Sequence, residues 1–127
     1  MADGKMAKVR IMIVDDHEVV RSGLKAVLEL EGDFDVVGEA ASGEEAIAQV
    51  AAHRTGVGLM DVRMEEMSGI EACRTIKNAH PEVNVLMLTS YSEEEAVTAA
   101  IMAGASTYPL KNVGRSELIK GIRGVAA

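Results

Sequence analysis

The sequence predicts an α/β protein, a parallel five-stranded sheet with helices on both faces. Three observations predict it. Short apolar runs alternate with stretches of helical spacing along the whole chain, and such alternation implies parallel strands joined by right-handed crossovers. The runs are continuously apolar, as strands buried on both faces are. Finally, 127 residues with 48% hydrophobic and 26% charged side chains make one ordinary globular domain, 1–127, able to bury a core without staples.

The elements follow in order. Val9–Val14 (VRIMIV) is a buried strand that ends in acids. Val20, Leu24, Val27 and Leu28 recur at helical spacing. Phe34–Val37 is strand-like. Ser42-Gly-Glu-Glu45 is a capping box, with Ile47, Val50 and Ala51 as the apolar stripe behind it. Val57–Met60 is a short strand ending at Asp61. Ser68-Gly-Ile-Glu71 is a second capping box, opening a helix that passes Ile76 and stops before Pro81. Val83–Leu88 is a strand. Ser92-Glu-Glu-Glu95 is a third capping box, leading a helix with Val97, Ala100 and Ile101 on one face. Ser106–Leu110 is a weak fifth strand, and Leu118, Ile122 and Val125 mark a last helix.

Composition removes several function classes. Thirteen basic against twenty acidic residues leave a net charge of −7, which disfavours nucleic acid and anionic membrane as direct partners. No apolar run reaches the ~18 residues of a membrane span, and the start carries no signal region. Cys73 is the single cysteine, so no intrachain disulfide forms and a reducing, cytoplasmic compartment is expected. Aromatics are only Phe34, Tyr91 and Tyr108, too few for base-stacking surfaces or a large apolar pocket.

Two layouts accommodate five such strands, the flavodoxin-like order 2-1-3-4-5 and a Rossmann-like half. In either, function gathers at the carboxyl ends of the strands, at the switch point beside the first. Those ends carry Asp15, Asp16, His17 and Glu18 after strand 1, Asp61 after strand 3, Thr89 and Ser90 after strand 4, and Lys111 after strand 5, which itself carries Tyr108. In the order 2-1-3-4-5 strands 1 and 3 are neighbours, so Asp15, Asp16 and Asp61 meet. Three carboxylates in one crevice repel one another unless a cation sits among them. All-oxygen ligands with open positions suit Mg²⁺. With a hydroxyl (Thr89) and an ammonium (Lys111) alongside, the site is equipped for phosphoryl transfer, which is mostly positioning and charge neutralisation.

Taken together, these pieces resemble the receiver domain of two-component response regulators from about Val9 to Val125. The wording most resembles the subclass with LuxR-type helix-turn-helix output domains: IVDDHEVVRSGL, LMDVRM, SGIEA, LMLTSY, AGAS and LKNV. The resemblance implies a flavodoxin-like doubly wound (βα)5 fold of order 2-1-3-4-5. It implies that Asp61 accepts a phosphoryl group from a sensor histidine kinase. Asp16, Asp61 and the backbone carbonyl of Arg63 would ligate Mg²⁺, with Asp15 helping through water. Lys111 would neutralise the phosphoryl oxygens, Thr89 would hydrogen-bond them, and Tyr108 would follow Thr89 inward as a switch. Arg63 and Tyr91 would overhang the path of an attacking water. The implied role is a signalling domain, not an enzyme in its own right. It would control an output, transcription above all, through a DNA-binding domain that this chain does not contain. Homodimerisation is left open.

The chain departs from the family pattern in places. Glu65 stands where Pro is usual, and Glu66 where Gly is common. Gly56-Val-Gly58 replaces an Asp followed by apolar residues. Thr107 replaces Gly before Tyr108, Pro109 follows it, and Asn112 follows Lys111. These bear on switching more than on chemistry. Pro109 belongs on an edge strand with its nitrogen turned from the neighbour.

Other readings are weaker. A haloacid-dehalogenase-like phosphatase needs an acid two residues after the nucleophile, where Arg63 stands. A flavin mononucleotide carrier needs a phosphate cradle after strand 1, where Asp-Asp-His-Glu would repel it. A receiver-like module that binds partners without phosphorylation remains the alternative. Singly, Asp15-Asp16 reads as a helix N-cap pair, Asp61 as a turn residue, Lys111 as a solvated lysine and Cys73 as a buried structural thiol. His17 is expected only to lie near the site. His53 and His80 are expected at the surface.

Overall fold

The computed structural model describes residues 8–61, 64, 69–88, 104, 106–108 and 115–126, with the backbone alone for 106–108 and 115. Among these residues the chain runs β1 (Val9–Val14), α1 (Glu18–Leu28), β2 (Phe34–Ala40), α2 (Gly43–Gln49), β3 (Val57–Asp61), α3 (Gly69–Ala79), β4 (Asn84–Leu88), β5 (Ser106–Tyr108) and α4 (Arg115–Ala126). The helix expected after Ser92, with Val97, Ala100 and Ile101, lies outside the described residues, as does Pro109.

All strand pairs are parallel, and the sheet order is β2-β1-β3-β4-β5. This is the flavodoxin-like layout rather than the Rossmann-like half. Each strand places alternate side chains on opposite faces. Met12, Val14, Met60, Val85 and Met87 pack with Ala72, Cys73 and Ile76 of α3 and with Ala46 and Val50. Ile11, Ile13, Val57, Leu59, Leu86 and Leu88 pack on the other face with Leu28 of α1 and Leu118, Ile119 and Ile122 of α4. Burial on both faces is why the strands read as unbroken apolar runs.

Local chemistry sets the boundaries. The Ser42 hydroxyl accepts from the Glu45 N–H at 3.1 Å, while the Glu45 carboxylate accepts from the Ala41 N–H at 3.0 Å. The capping box is therefore made, with its return bond one residue earlier than the usual N-cap N–H. Ala51 is exposed and lies beyond α2, which ends at Gln49. It therefore leaves the expected stripe, while Val50 enters the core and Ile47 packs against it as expected. β2 continues past Val37 to Ala40 because β1 offers a ladder as far as Val14↔Ala40, with a bulge between Ile11 and Met12. β4 begins at Asn84, since the Val83 N–H closes a turn on His80 O. His53 is half-buried rather than superficial, and a Cβ on Gly38 would come within 3.1 Å of its ring. Arg10 donates to the His53 carbonyl at 2.8 Å, pinning the turn before β3.

The last helix is clamped from outside the core. Arg123 makes a two-pronged bond to Asp33 (Nε–Oδ2 3.0 Å, Nη2–Oδ1 2.9 Å), reaches Glu31 at 2.9 Å and lies 5.3 Å from the Phe34 ring centre. This planar fork holds the Asp33 carboxyl below the usual carboxylate range.

Candidate functional site

The site forms where β1 and β3 end side by side. Val14 pairs with Met60, so the next residues, Asp15 and Asp61, emerge together at the same sheet edge. Both are almost entirely buried, at 2% and 5% exposure. The Asp15 N–H is fixed by the Ala40 carbonyl at 3.0 Å. Asp16 follows on the loop, with a side chain 19% exposed.

His17 closes the loop over these acids. Its N–H donates to Asp15 Oδ1 at 2.8 Å. Its ring Nδ1 lies 2.9 Å from the same oxygen and 3.0 Å from Asp16 Oδ1. The N-cap of α1 is His17, with no side-chain cap bond, so the acids turn toward the crevice instead of capping the helix. One turn into α1, Arg21 donates to the Asp15 carbonyl at 2.6 Å and pairs with Glu39 of β2 at 3.2 Å. Helix, loop and sheet are thereby locked around Asp15.

Asp61 is approached from its other side by α3. A Cβ on Gly69 would overlap the Asp61 carbonyl oxygen and stand 2.9 Å from Met87 Cε. Only glycine lets the first turn of α3 come this near to the strand end.

The donor atoms of Asp15, Asp16, His17 and Asp61 lie within 4.8 Å of one another. Ligands ~2.1 Å from a Mg²⁺ ion sit roughly 3–4 Å apart, so closing on a cation needs movements of about 1 Å. Carboxylate oxygens are the donors a hard divalent cation prefers, so this acidic cluster fits Mg²⁺.

Of the residues named from the sequence, Asp15, Asp16 and Asp61 are brought together. Tyr108 ends β5, whose Leu88↔Tyr108 pairing places it at the same end of the sheet. Thr89, Lys111, Arg63 and Tyr91 lie outside the described residues, as does Glu65. Sequence reasoning missed the contact of His17 with both acids, the Arg21–Glu39 lock and the Gly69 approach. The first two carried weak signals, a histidine directly after the acid pair and an arginine one turn later. The third was hidden inside a capping box.

The family model for the response regulator receiver domain matches residues 11–123. The chain is 45% identical over 119 residues to the DNA-binding transcriptional activator DevR/DosR of Mycobacterium tuberculosis, covering 94% of this chain and 55% of that protein. It is 42% identical over 115 residues to the response regulator VraR of Staphylococcus aureus, covering 91% and 55%. It therefore spans about half the length of the curated relatives it matches. A two-component response regulator of the LuxR family from Aurantimonas sp. SI85-9A1 superposes with a TM-score of 0.89 at 32% identity, covering 94% of this chain and 86% of that one. With the flavodoxin-like sheet order and the acidic cluster at the switch point, these likenesses settle the family: the chain belongs to the response regulator receiver domains, and within them to the LuxR type.

Proposed function

We propose that Asp61 is a phosphoacceptor and that this receiver takes its phosphoryl group from the phosphohistidine of a sensor histidine kinase. The observation that carries the reading is the burial of Asp15 and Asp61 beside Asp16 in one crevice. Burying carboxylates together is costly unless a cation neutralises them, and a neutralising cation beside a carboxylate is what phosphoryl transfer needs. In the transfer an Asp61 carboxylate oxygen forms a bond to phosphorus as the bond from phosphorus to the kinase imidazole breaks. The electron pair returns to that nitrogen, which takes up a proton, and an acyl phosphate is left on Asp61.

Asp16, Asp61 and the Arg63 carbonyl would hold Mg²⁺, with Asp15 acting through water. Bound there, the ion supplies charge neutralisation for the phosphoryl oxygens. Lys111 neutralises a further oxygen, Thr89 donates a hydrogen bond to another, and Tyr108 follows Thr89 inward. Arg63 and Tyr91 shield the acyl phosphate from water. In the full-length protein the switch would control transcription through a DNA-binding output domain, in keeping with the description of DevR/DosR as a DNA-binding transcriptional activator. The test is intact mass after incubation with acetyl phosphate and Mg²⁺. One adduct of about 80 Da, a PO₃H unit, is expected in the parent and absent in Asp61→Asn. Persistence of the adduct in that variant would refute the assignment.

A further inference from the structure

His17 has no part in the phosphoryl transfer just described, yet its ring sits against the acids. Nδ1 lies 2.9 Å from Asp15 Oδ1 and 3.0 Å from Asp16 Oδ1, while the side chain as a whole is 64% exposed. The side chain is therefore largely exposed while one ring nitrogen is turned to both acids. His17 belongs to the same converging donor group as Asp15, Asp16 and Asp61. The other two histidines are occupied elsewhere. The His53 ring packs beside Gly38, and His80 Nδ1 lies 3.8 Å from Glu82.

We propose that His17 is a specificity-determining ligand of the cation site. It yields to water when Mg²⁺ binds, and it joins the ligand set when a borderline transition-metal ion binds. The inference rests on the reading that the acid cluster holds a divalent cation. Mg²⁺ takes oxygen ligands, demands near-ideal octahedral geometry and retains several waters, so a ring nitrogen gains nothing there. Ni²⁺ and Zn²⁺ accept imidazole readily and bind mixed nitrogen and oxygen sites more tightly than earlier metals do. An imidazole already placed beside two carboxylates needs only to swing from hydrogen bonding to coordination. The loop that carries it is held by the Arg21 bond to the Asp15 carbonyl, so the nitrogen is kept near the carboxylates in the absence of any metal. At equal free concentrations the site would thus take a borderline metal in preference to Mg²⁺.

The test is calorimetric titration of tag-free protein with Ni²⁺ alone, with Mg²⁺ alone, and with Ni²⁺ against excess Mg²⁺. Parent, His17→Ala, His17→Gln and Asp16→Ala are compared. The expected result is a Ni²⁺ over Mg²⁺ preference that falls by at least ~10-fold in both His17 variants, the lower end of what losing a ligand's support costs a metal site. Proton spectra of the Ni²⁺ form should show a hyperfine-shifted imidazole N–H that disappears in His17→Ala and persists in His53→Ala. Mg²⁺ bound by the parent and lost in Asp16→Ala, with a Ni²⁺ preference unchanged by His17→Ala, overturns this inference and leaves the cluster reading intact. No Mg²⁺ binding by the parent overturns both.

Discussion

Gly69→Ala isolates the contact that sets the geometry of Asp61. The added Cβ would overlap the Asp61 carbonyl oxygen and stand 2.9 Å from Met87 Cε and 3.0 Å from the Asp61 carbonyl carbon. Carbon atoms pack best at about 3.5–4.0 Å, so the two carbon contacts alone are roughly 0.5–1 Å too close. Met87 Cε is the end of a flexible side chain and can turn away. The Asp61 backbone cannot, because it is paired in register with β4 at Leu88. Either α3 retreats or the end of β3 is pushed out of the sheet. Overpacking of this kind costs about 1–3 kcal/mol, and a backbone collision belongs at the upper end. Unfolding entropy of about 2.1 cal/mol/K per residue gives roughly 0.27 kcal/mol/K for 127 residues, so ~3 kcal/mol lowers Tm by about 11 °C. Gly58→Ala on the same strand is the control. A Cβ there meets nothing within 4 Å, and removing a strand glycine should stabilise by ~0.5–1 kcal/mol. Thermal melts followed by circular dichroism measure both, and acetyl phosphate labelling reports on Asp61. A Gly69→Ala protein that melts within about 3 °C of the parent and labels equally well would refute the reasoning.

Three further outcomes are expected. Asp16→Ala should lose the stabilisation by Mg²⁺, which for the parent at 100 times its Kd amounts to ~2.7 kcal/mol; an undiminished Mg²⁺ shift in Tm would place the metal elsewhere. Burial pushes the Cys73 thiol up to about 11, so a disulfide reagent at neutral pH should label it only in urea; rapid labelling of the folded protein contradicts its packing against α2 and the sheet. Arg123→Ala should destabilise at neutral pH. The Asp33 carboxyl is held below its ordinary 3.8, so its share of the clamp is present above that value and fades as pH falls through the lower folded one. Urea melts should show the gap between parent and variant narrowing in acid and in high salt; a gap that is constant with pH would mean that Arg123 acts through packing on Phe34 alone.

The sequence by itself determined the layer architecture and the three acids. Continuous apolar strands such as VRIMIV and VGLM, set between helical periods, admit little besides a doubly wound parallel sheet. In the order β2-β1-β3-β4-β5, the one the family resemblance implies, β1 and β3 are neighbours and the residues at their ends converge, which made Asp15, Asp16 and Asp61 legible before any contact was known. Strand limits were less legible, because hydrogen bonding to a neighbour decides them. β1 carries β2 through Gly38 and Glu39 to Ala40, residues that composition alone would leave in a loop. Ala51 was misread for a related reason, as α2 stops two residues before the end of its apolar spacing. Only the tertiary structure decided how the acids are held. The His17 ring meets two carboxylates because the loop after β1 folds back on Asp15. Arg21 finds Glu39 across 18 residues of chain. Gly69 touches Asp61 because the first turn of α3 lies directly against the end of β3. The His17 contact is local and depends on the loop's backbone conformation, whereas the Arg21–Glu39 and Gly69–Asp61 contacts join different elements and leave no period or spacing to read, since they depend on where the backbone of one element lies against another.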